Sequence, residues 1–366
     1  MSMEFVCSSC GHRESAATPR AKCACGSLWN LDFTPLRFES GLIDRSEWSL
    51  FRYRAFLPLE GDGWKEISLG EGLTPIIRLD EDILLKMDYF MPTLSFKDRG
   101  AALLVAHCKA IGVDSVVQDS SGNAGNSVAA YCAKAGIGCE IFVPEGTSPG
   151  KIAMIQSHGA RVNVVPGTRD HCADVCREKV ERDGLYYANH VYNPFFFEGT
   201  KTYIYEVFEQ LGRMPSTLFI PLGNGTLFLG AMKGLEELLA AGAIERMPQV
   251  VAVQSEGCDP IAKAWGMGER KPAAVRPSPT LAEGIAIGKP MRGEAILDLI
   301  YKHGAEVIIA PEDRILDARI ALARKGIYCE HTTAATYAAY LSHRELRGSA
   351  PDSLLPMCGA GLKSDH

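Results

Sequence analysis

From about residue 98 onward, short apolar runs rich in Val, Ile and Leu alternate with longer stretches whose apolar positions recur at helical spacing. A short apolar run bounded by turn residues reads as a buried strand, and its regular alternation with helices is the pattern of an α/β fold with parallel strands. The pattern predicts strands at 115–118, 139–143, 161–165, 185–188, 217–221, 250–254 and 307–310. Between them it predicts helices at 126–135, 151–157, 170–182, 199–211, 227–241, 312–325 and 332–343, the first stopping at Gly136. One more strand ends near Leu355 in a glycine turn. No internal repeat interrupts this order, and the Gly- and Pro-containing stretch 266–290 reads as a long surface loop or flap.

Composition narrows the class. A chain of 366 residues, 46% of them hydrophobic, exceeds one simple core and suits two domains. The net charge of -6 leaves no basic footprint for nucleic acid, and no run of Lys or Arg marks an anionic membrane surface, so a small-molecule partner is expected. Residues 1–20 lack the apolar core of a signal peptide, and no apolar stretch approaches the roughly 18 residues that cross a bilayer. The cytoplasm is the expected compartment. Of the 12 cysteines, those outside the N-terminal segment are scattered through apparent core elements and read as reduced thiols.

The N-terminal cysteines are different. Cys7 and Cys10 form a C-x2-C pair, Cys23 and Cys25 a C-x-C pair, and each pair is followed by glycine. Two short turns of this kind bring four thiolates toward one tetrahedral zinc. A ribbon that has lost its metal, or a redox pair, has the same spacing; residues 1–29 are expected as a zinc-ribbon-like segment.

Four further segments carry candidate chemistry. Pro92-Thr93-Leu94-Ser95-Phe96-Lys97-Asp98-Arg99 presents one lysine beside an apolar residue and two charges. A lysine so placed can form a Schiff base with a carbonyl cofactor such as pyridoxal phosphate, although a lone lysine among apolar residues also snorkels at surfaces. The strand at 115–118 runs into Ser120-Ser121-Gly122-Asn123-Ala124-Gly125-Asn126, which opens a helix whose exposed amides can hold a carboxylate; a plain N-cap turn has the same composition. Gly223-Asn224-Gly225-Thr226 again lies between strand and helix and suits a phosphate, without being a Walker A loop or a dinucleotide fingerprint. Cys358-Gly359-Ala360-Gly361 ends the last strand, where Cys358 faces a ligand or is an inert buried thiol.

In this order the four segments resemble the fold-type II pyridoxal-phosphate enzymes, the tryptophan synthase β-like group, and within it the threonine synthases. The resemblance covers roughly 50–365. It implies a two-domain α/β fold of parallel and mixed sheets flanked by helices, a large domain from 30–99 plus 199–366, and a small mobile domain from 100–198 with the cofactor between them. It also implies a homodimer. Lys97 would carry the cofactor as a Schiff base and then serve as the base; Asn123 would bond the phenolic oxygen. Ser120, Ser121, Gly122, Ala124, Gly125, Asn126 and Asn193 would face the substrate, Gly223 to Thr226 would hold the phosphate, and Cys358 would lie beside the pyridine nitrogen.

The sequence departs from the threonine synthase pattern where that family meets its substrate. Met91 and Leu94 replace an asparagine and a glycine, Ser121 and Ala124 stand at two threonine positions, and Phe196 replaces an arginine in Asn193-Pro194-Phe195-Phe196-Phe197-Glu198-Gly199. Losing that cation removes a charged hydrogen bond worth about 1.5–3 kcal/mol to an anionic leaving group, unless the aromatic run is a packed helix entry. The expected activity is elimination or replacement on a small L-amino acid, threonine synthase-like. Alternatives are an ammonia-lyase acting on serine, threonine or diaminopropionate, a cysteate- or cysteine-synthase-like β-replacement, and a catalytically silent cofactor-binding regulator.

Overall fold

The computed structural model describes residues 3–348 and 351–363. Strands and helices are numbered along the chain. First come β1 (Glu4–Cys7), β2 (Arg13–Ser15), β3 (Trp29–Asp32), β4 (Ile76–Arg78), β5 (Ile83–Lys86) and α1 (Lys97–Ala110). Then β6 (Ser115–Gln118), α2 (Asn123–Ala135), β7 (Gly138–Pro144), α3 (Pro149–Ser157), β8 (Arg161–Val165), α4 (Arg169–Asp183) and β9 (Tyr186–Tyr187) alternate. There follow α5 (Phe195–Thr200), α6 (Thr202–Leu211), β10 (Thr217–Pro221), α7 (Thr226–Ala241), β11 (Gln249–Ser255), α8 (Pro260–Gly266) and α9 (Gly293–His303). The chain closes with β12 (Glu306–Ala310), α10 (Ile315–Ala323), α11 (His331–Arg347) and β13 (Ser353–Pro356).

Every strand read from the apolar runs is present, and the helices fall at the expected places with shifted ends. Helix α2 begins at Asn123 rather than 126, because the extended Gly122 (φ -102°, ψ -154°) already serves as its N-cap. The expected helix 199–211 is two helices, α5 and α6, separated at Lys201. The stretch 266–290 is largely loop, with one short 3-10 turn at Glu283–Ile285.

The chain divides into two compact units: the described residues up to Gly72 with Lys97–Thr200, and Leu73–Phe96 with the described residues from Lys201 onward. In the first, a parallel sheet of order β8-β7-β6-β9 is flanked by α1 to α4, while β2-β1-β3 form a small antiparallel sheet. Phe5 and Trp29 of that small sheet share one apolar core with Leu103, Leu104 and Phe195. Helix α1 is buried from Asp98 to Cys108, its charged Asp98 and Arg99 included, and a helix buried all round shows no amphipathic stripe. It packs on α5 so closely that a Cβ on Gly100 would lie 2.3 Å from the Phe196 ring, and one on Gly199 would lie 2.1 Å from the Arg99 carbonyl oxygen.

In the second unit a six-stranded sheet of order β12-β11-β10-β13-β5-β4 is parallel except for the antiparallel edge strand β4. Its central strands are buried on both faces, which accounts for their continuous apolar runs. A fully buried Lys86 pairs with Glu206 at 2.7 Å and also donates to the Thr74 hydroxyl at 2.7 Å. Among the described residues no helix is long and apolar enough to cross a membrane.

Candidate functional site

In the first unit Lys97 opens α1. It is half-buried, and its ammonium lies 5.7 Å from the centroid of the Phe196 ring, within cation–π range. Another neighbour of that ring is His190, whose imidazole meets it edge-on at 5.7 Å. His190 is buried, and burial pushes its pKa well below the usual value, with the positive charges of Lys97 and Arg169 adding to the effect. Burial thus favours its neutral form, and among the described residues its Nδ1 has no hydrogen-bond partner. No local pattern in the sequence singles it out; only the fold carries it to the ring that Lys97 also meets.

The first turns of α1 and α2 are joined. The Ser127 hydroxyl donates to the Asp98 carboxylate, and one turn further on the Tyr131 hydroxyl donates to Glu71 at 2.9 Å. Glu71 also accepts from the Leu69 amide at 2.8 Å and the Ser68 hydroxyl at 3.1 Å. Burial nevertheless raises it to about 7, and the nearby Asp98 charge pushes the same way.

Ahead of α2, the turn from Ser120 to Gly122 follows β6. Ser120 is buried and its hydroxyl accepts from the Gly122 amide at 3.4 Å. Gly125 is required there, since a Cβ would fall 1.8 Å from the Ser120 carbonyl oxygen. The Oδ1 of Asn126 is buried without a partner among the described residues, so Ser121, Gly122, Asn123 and Ala124 lead into a helix start that holds an unused acceptor. Asn193 precedes α5: its side-chain amide donates to the Tyr186 hydroxyl at 2.7 Å and its Oδ1 accepts from the Phe195 amide at 3.0 Å, so it caps that helix. Phe196 is fully buried, a packed helix entry.

In the second unit, Leu222 to Gly225 link β10 to α7. Gly225 has φ +79° and a Cβ there would strike the Ile296 side chain at 2.4 Å; a Cβ on Gly223 would lie 2.9 Å from the Ile285 Cα. Both glycines are therefore demanded by the backbone. Asn224 is half-buried and Thr226 buried at the helix start. Cys358 follows β13, buried, its amide donating to the Thr333 hydroxyl at 3.2 Å and its carbonyl accepting from the Phe96 amide at 3.0 Å. A Cβ on the next residue, Gly359, would lie 2.2 Å from the Glu330 carboxylate.

The sulfurs of Cys7, Cys10, Cys23 and Cys25 lie within 4.8 Å of one another, with Cys7 to Cys25 at 3.4 Å and Cys10 to Cys23 at 3.7 Å. Four ligands at the usual zinc–sulfur length span about 3.8 Å, so the cluster has the dimensions of a tetrahedral thiolate site. Gly11 (φ +71°) and Gly26 (φ +86°) make the turns that close it, and the Ser27 amide helps draw the Cys25 thiol down to about 6.

A lysine opening a helix beside a glycine-rich turn, and a second such turn after a parallel strand, are elements that an α/β protein could use to hold a phosphate-bearing cofactor. The chain belongs to the pyridoxal-phosphate dependent enzyme family, whose model matches residues 67–359. It is 30% identical to the threonine synthase of Methanocaldococcus jannaschii over 91% of this chain and 85% of that one. It is 34% identical to the threonine synthase of Mycobacterium leprae over 79% and 80%. Among solved structures it resembles a pyridoxal 5'-phosphate-dependent aspartate racemase (TM-score 0.70, 22% identity, covering 81% of this chain and 93% of that one). It also resembles a T.th. threonine deaminase (TM-score 0.64, 25% identity, 76% and 87%). The residues present fit the cofactor: a half-buried lysine opens α1, the turn ahead of α2 holds an unused buried acceptor on Asn126, and Thr226 stands at the start of α7, where helix amides suit a phosphate.

Proposed function

We propose that the protein catalyses elimination, with or without replacement, on a small L-amino acid, with Lys97 as the residue that carries the cofactor and moves the α-proton. The observation that carries this reading is the setting of Lys97, half-buried over Phe196 at the start of a helix tied by Asp98 to Ser127 of the neighbouring turn. Pyridoxal phosphate supplies an electron sink for the carbon next to the substrate amine. Lys97 would take the proton from that carbon and return one after the leaving group departs. The turn from Ser120 to Asn126 would receive the substrate carboxylate, with Asn123 on the ring oxygen, Gly223 to Thr226 on the phosphate and Cys358 at the ring nitrogen.

Threonine synthase chemistry, from O-phosphohomoserine, is the first specific reading, supported by the curated relatives at 30% and 34% identity. Ammonia elimination from a small amino acid is the second, favoured by the uncharged Phe196 beside Lys97 and by the likeness to a threonine deaminase. Holoenzyme would be given O-phosphohomoserine, serine, threonine and 2,3-diaminopropionate, with phosphate, ammonia and ketoacid measured. Phosphate release selects the first and ketoacid the second. Turnover of any of them by Lys97→Ala refutes the role of Lys97, and absence of α-proton exchange with all of them marks a silent cofactor-binding protein.

The cysteine cluster is proposed as a structural zinc site, because its core neighbours Phe5 and Trp29 share one apolar cluster with α1 and α5, packing that a bound metal would brace.

A further inference from the structure

The second unit holds a cavity of about 440 Å³ lined by Thr217, Gln249, Trp265, Glu306, His343 and Arg347, with Val251 behind them. Thr217, Gln249 and Glu306 are the first residues of the adjacent parallel strands β10, β11 and β12, so the cavity lies at the N-terminal edge of the sheet. The turn 222–226 leaves β10 at its other end, about 16 Å away for a five-residue strand. The candidate phosphate turn lies at the carboxyl edge, where the main ligand site of an open α/β sheet forms, so this cavity is not part of it.

Its chemistry is mixed in one particular way. Arg347 pairs with one oxygen of Glu306 at 2.6 Å, and His343 Nε2 stands 3.6 Å from the other, beyond hydrogen-bond reach. Both ring nitrogens of His343 are buried and have no hydrogen-bond partner among the described residues. The ring meets Phe219 edge-on at 5.5 Å. A buried polar group without a partner costs stability unless a ligand or water completes it. Gln249 adds an amide whose bonds to Val250 and Gly304 are long, at 3.4 Å, and Trp265 and Val251 add an apolar wall.

We propose that this cavity binds a free α-amino acid in its zwitterionic form, as a site separate from the turn 223–226. The amino-acid carboxylate takes Arg347 and His343, its ammonium takes Glu306 and the Gln249 carbonyl, and its side chain lies on Trp265. The existing Arg347–Glu306 pair is exchanged for two pairs to the ligand, so no charge is left uncompensated, whereas a plain anion would leave Glu306 facing like charge. A volume in the lower part of the roughly 300–1,000 Å³ range of small-molecule sites suits a ligand of this size.

The test is titration of the holoenzyme with each proteinogenic L-amino acid in turn, followed by tryptophan fluorescence. The chain has four tryptophans, so the signal from Trp265 is the part that W265F removes. At least one amino acid is expected to change that signal saturably. Arg347→Gln, at a side chain 64% exposed, and Glu306→Gln are each expected to weaken binding by about tenfold or more. The α-hydroxy acid of the same side chain, which lacks the ammonium, should bind weaker by a similar factor. If no amino acid alters Trp265 emission, or if affinity is unchanged in both variants, the proposal is overturned. Either result is read without turnover and leaves the role of Lys97 to its own experiment.

Discussion

Glu71→Gln tests the electrostatic reading of the α1–α2 junction. The Glu71 carboxyl is buried, and its pKa is raised from 4.5 to about 7. A raised acid binds its proton in the folded state over the window between those values while the unfolded chain has already released it, so stability falls as pH rises from about 4.5 to 7. At 1.36 kcal/mol per unit, the full window amounts to roughly 3 kcal/mol. Buried His107, pushed down to about 4 by burial, gives the opposite slope, since the unfolded chain gains a proton below its ordinary value of 6.5 while the folded one does not. The wild-type profile alone is therefore a sum of opposing slopes, and the difference between variant and wild type isolates Glu71. Glutamine copies the protonated form: its oxygen can accept from Leu69 and Tyr131, and its amide can donate to Ser68. Urea unfolding between about pH 5 and 8.5 should find the two proteins similar near pH 5 and the variant more stable by about 1–3 kcal/mol at about pH 8. Parallel profiles across the range would refute the reasoning.

Gly199→Ala forces a Cβ to 2.1 Å from the Arg99 carbonyl oxygen and should cost about 1–3 kcal/mol or more by thermal or denaturant unfolding. Metal analysis should find about one zinc per chain, lost in Cys10→Ser and in Cys25→Ser, with the near-ultraviolet signal of Trp29 diminished. Lys86→Met leaves Glu206 as a buried charge without its ammonium and should cost about 3–5 kcal/mol, whereas Lys86→Met with Glu206→Leu should recover much of that loss in the same unfolding assay.

What could be read along the chain was whatever is local. Strands β6, β10 and β11 fell where apolar runs met turn residues, because a strand in the middle of an α/β sheet needs such a run and little more. Helix α1 was not drawn as a helix, since its residues are buried on every face and leave no amphipathic period; Lys97 stood out there by its neighbours and not by a pattern. That Asn193 caps α5 was not legible either, because the role depends on Tyr186 and the Phe195 amide. His190 and the lining of the 440 Å³ cavity were invisible for the same reason: residues 217, 249 and 306 are neighbours only through the parallel order of β10, β11 and β12, and residues 265, 343 and 347 only through the packing of α8 and α11 beside them.

The departures from the threonine synthase pattern are of two physical kinds. Leu94 has φ +61°, the left-handed region for which glycine is the easy choice. Its amide still donates to the Met91 carbonyl at 2.8 Å, and its own carbonyl accepts from the Ala360 amide at 3.1 Å. The glycine-shaped turn is thus kept, at a backbone cost of roughly 1–2 kcal/mol, and the substitution alters the residue without altering the path of the chain. Phe196 is the reverse. Its ring occupies the space that Gly100 leaves by having no Cβ, meets His190 edge-on, and lies under the Lys97 ammonium. An arginine at 196 would bring a second cation beside Lys97 into a fully buried position next to a neutral imidazole, a desolvation cost on the order of several kcal/mol with no carboxylate in the described contacts of that ring to offset it. Restoring the family residue alone would therefore destabilise the wall beside Lys97 rather than rebuild an anion contact. If the second reading holds, selectivity for a less charged leaving group would be built into how α1 and α5 pack, not into one exchangeable side chain.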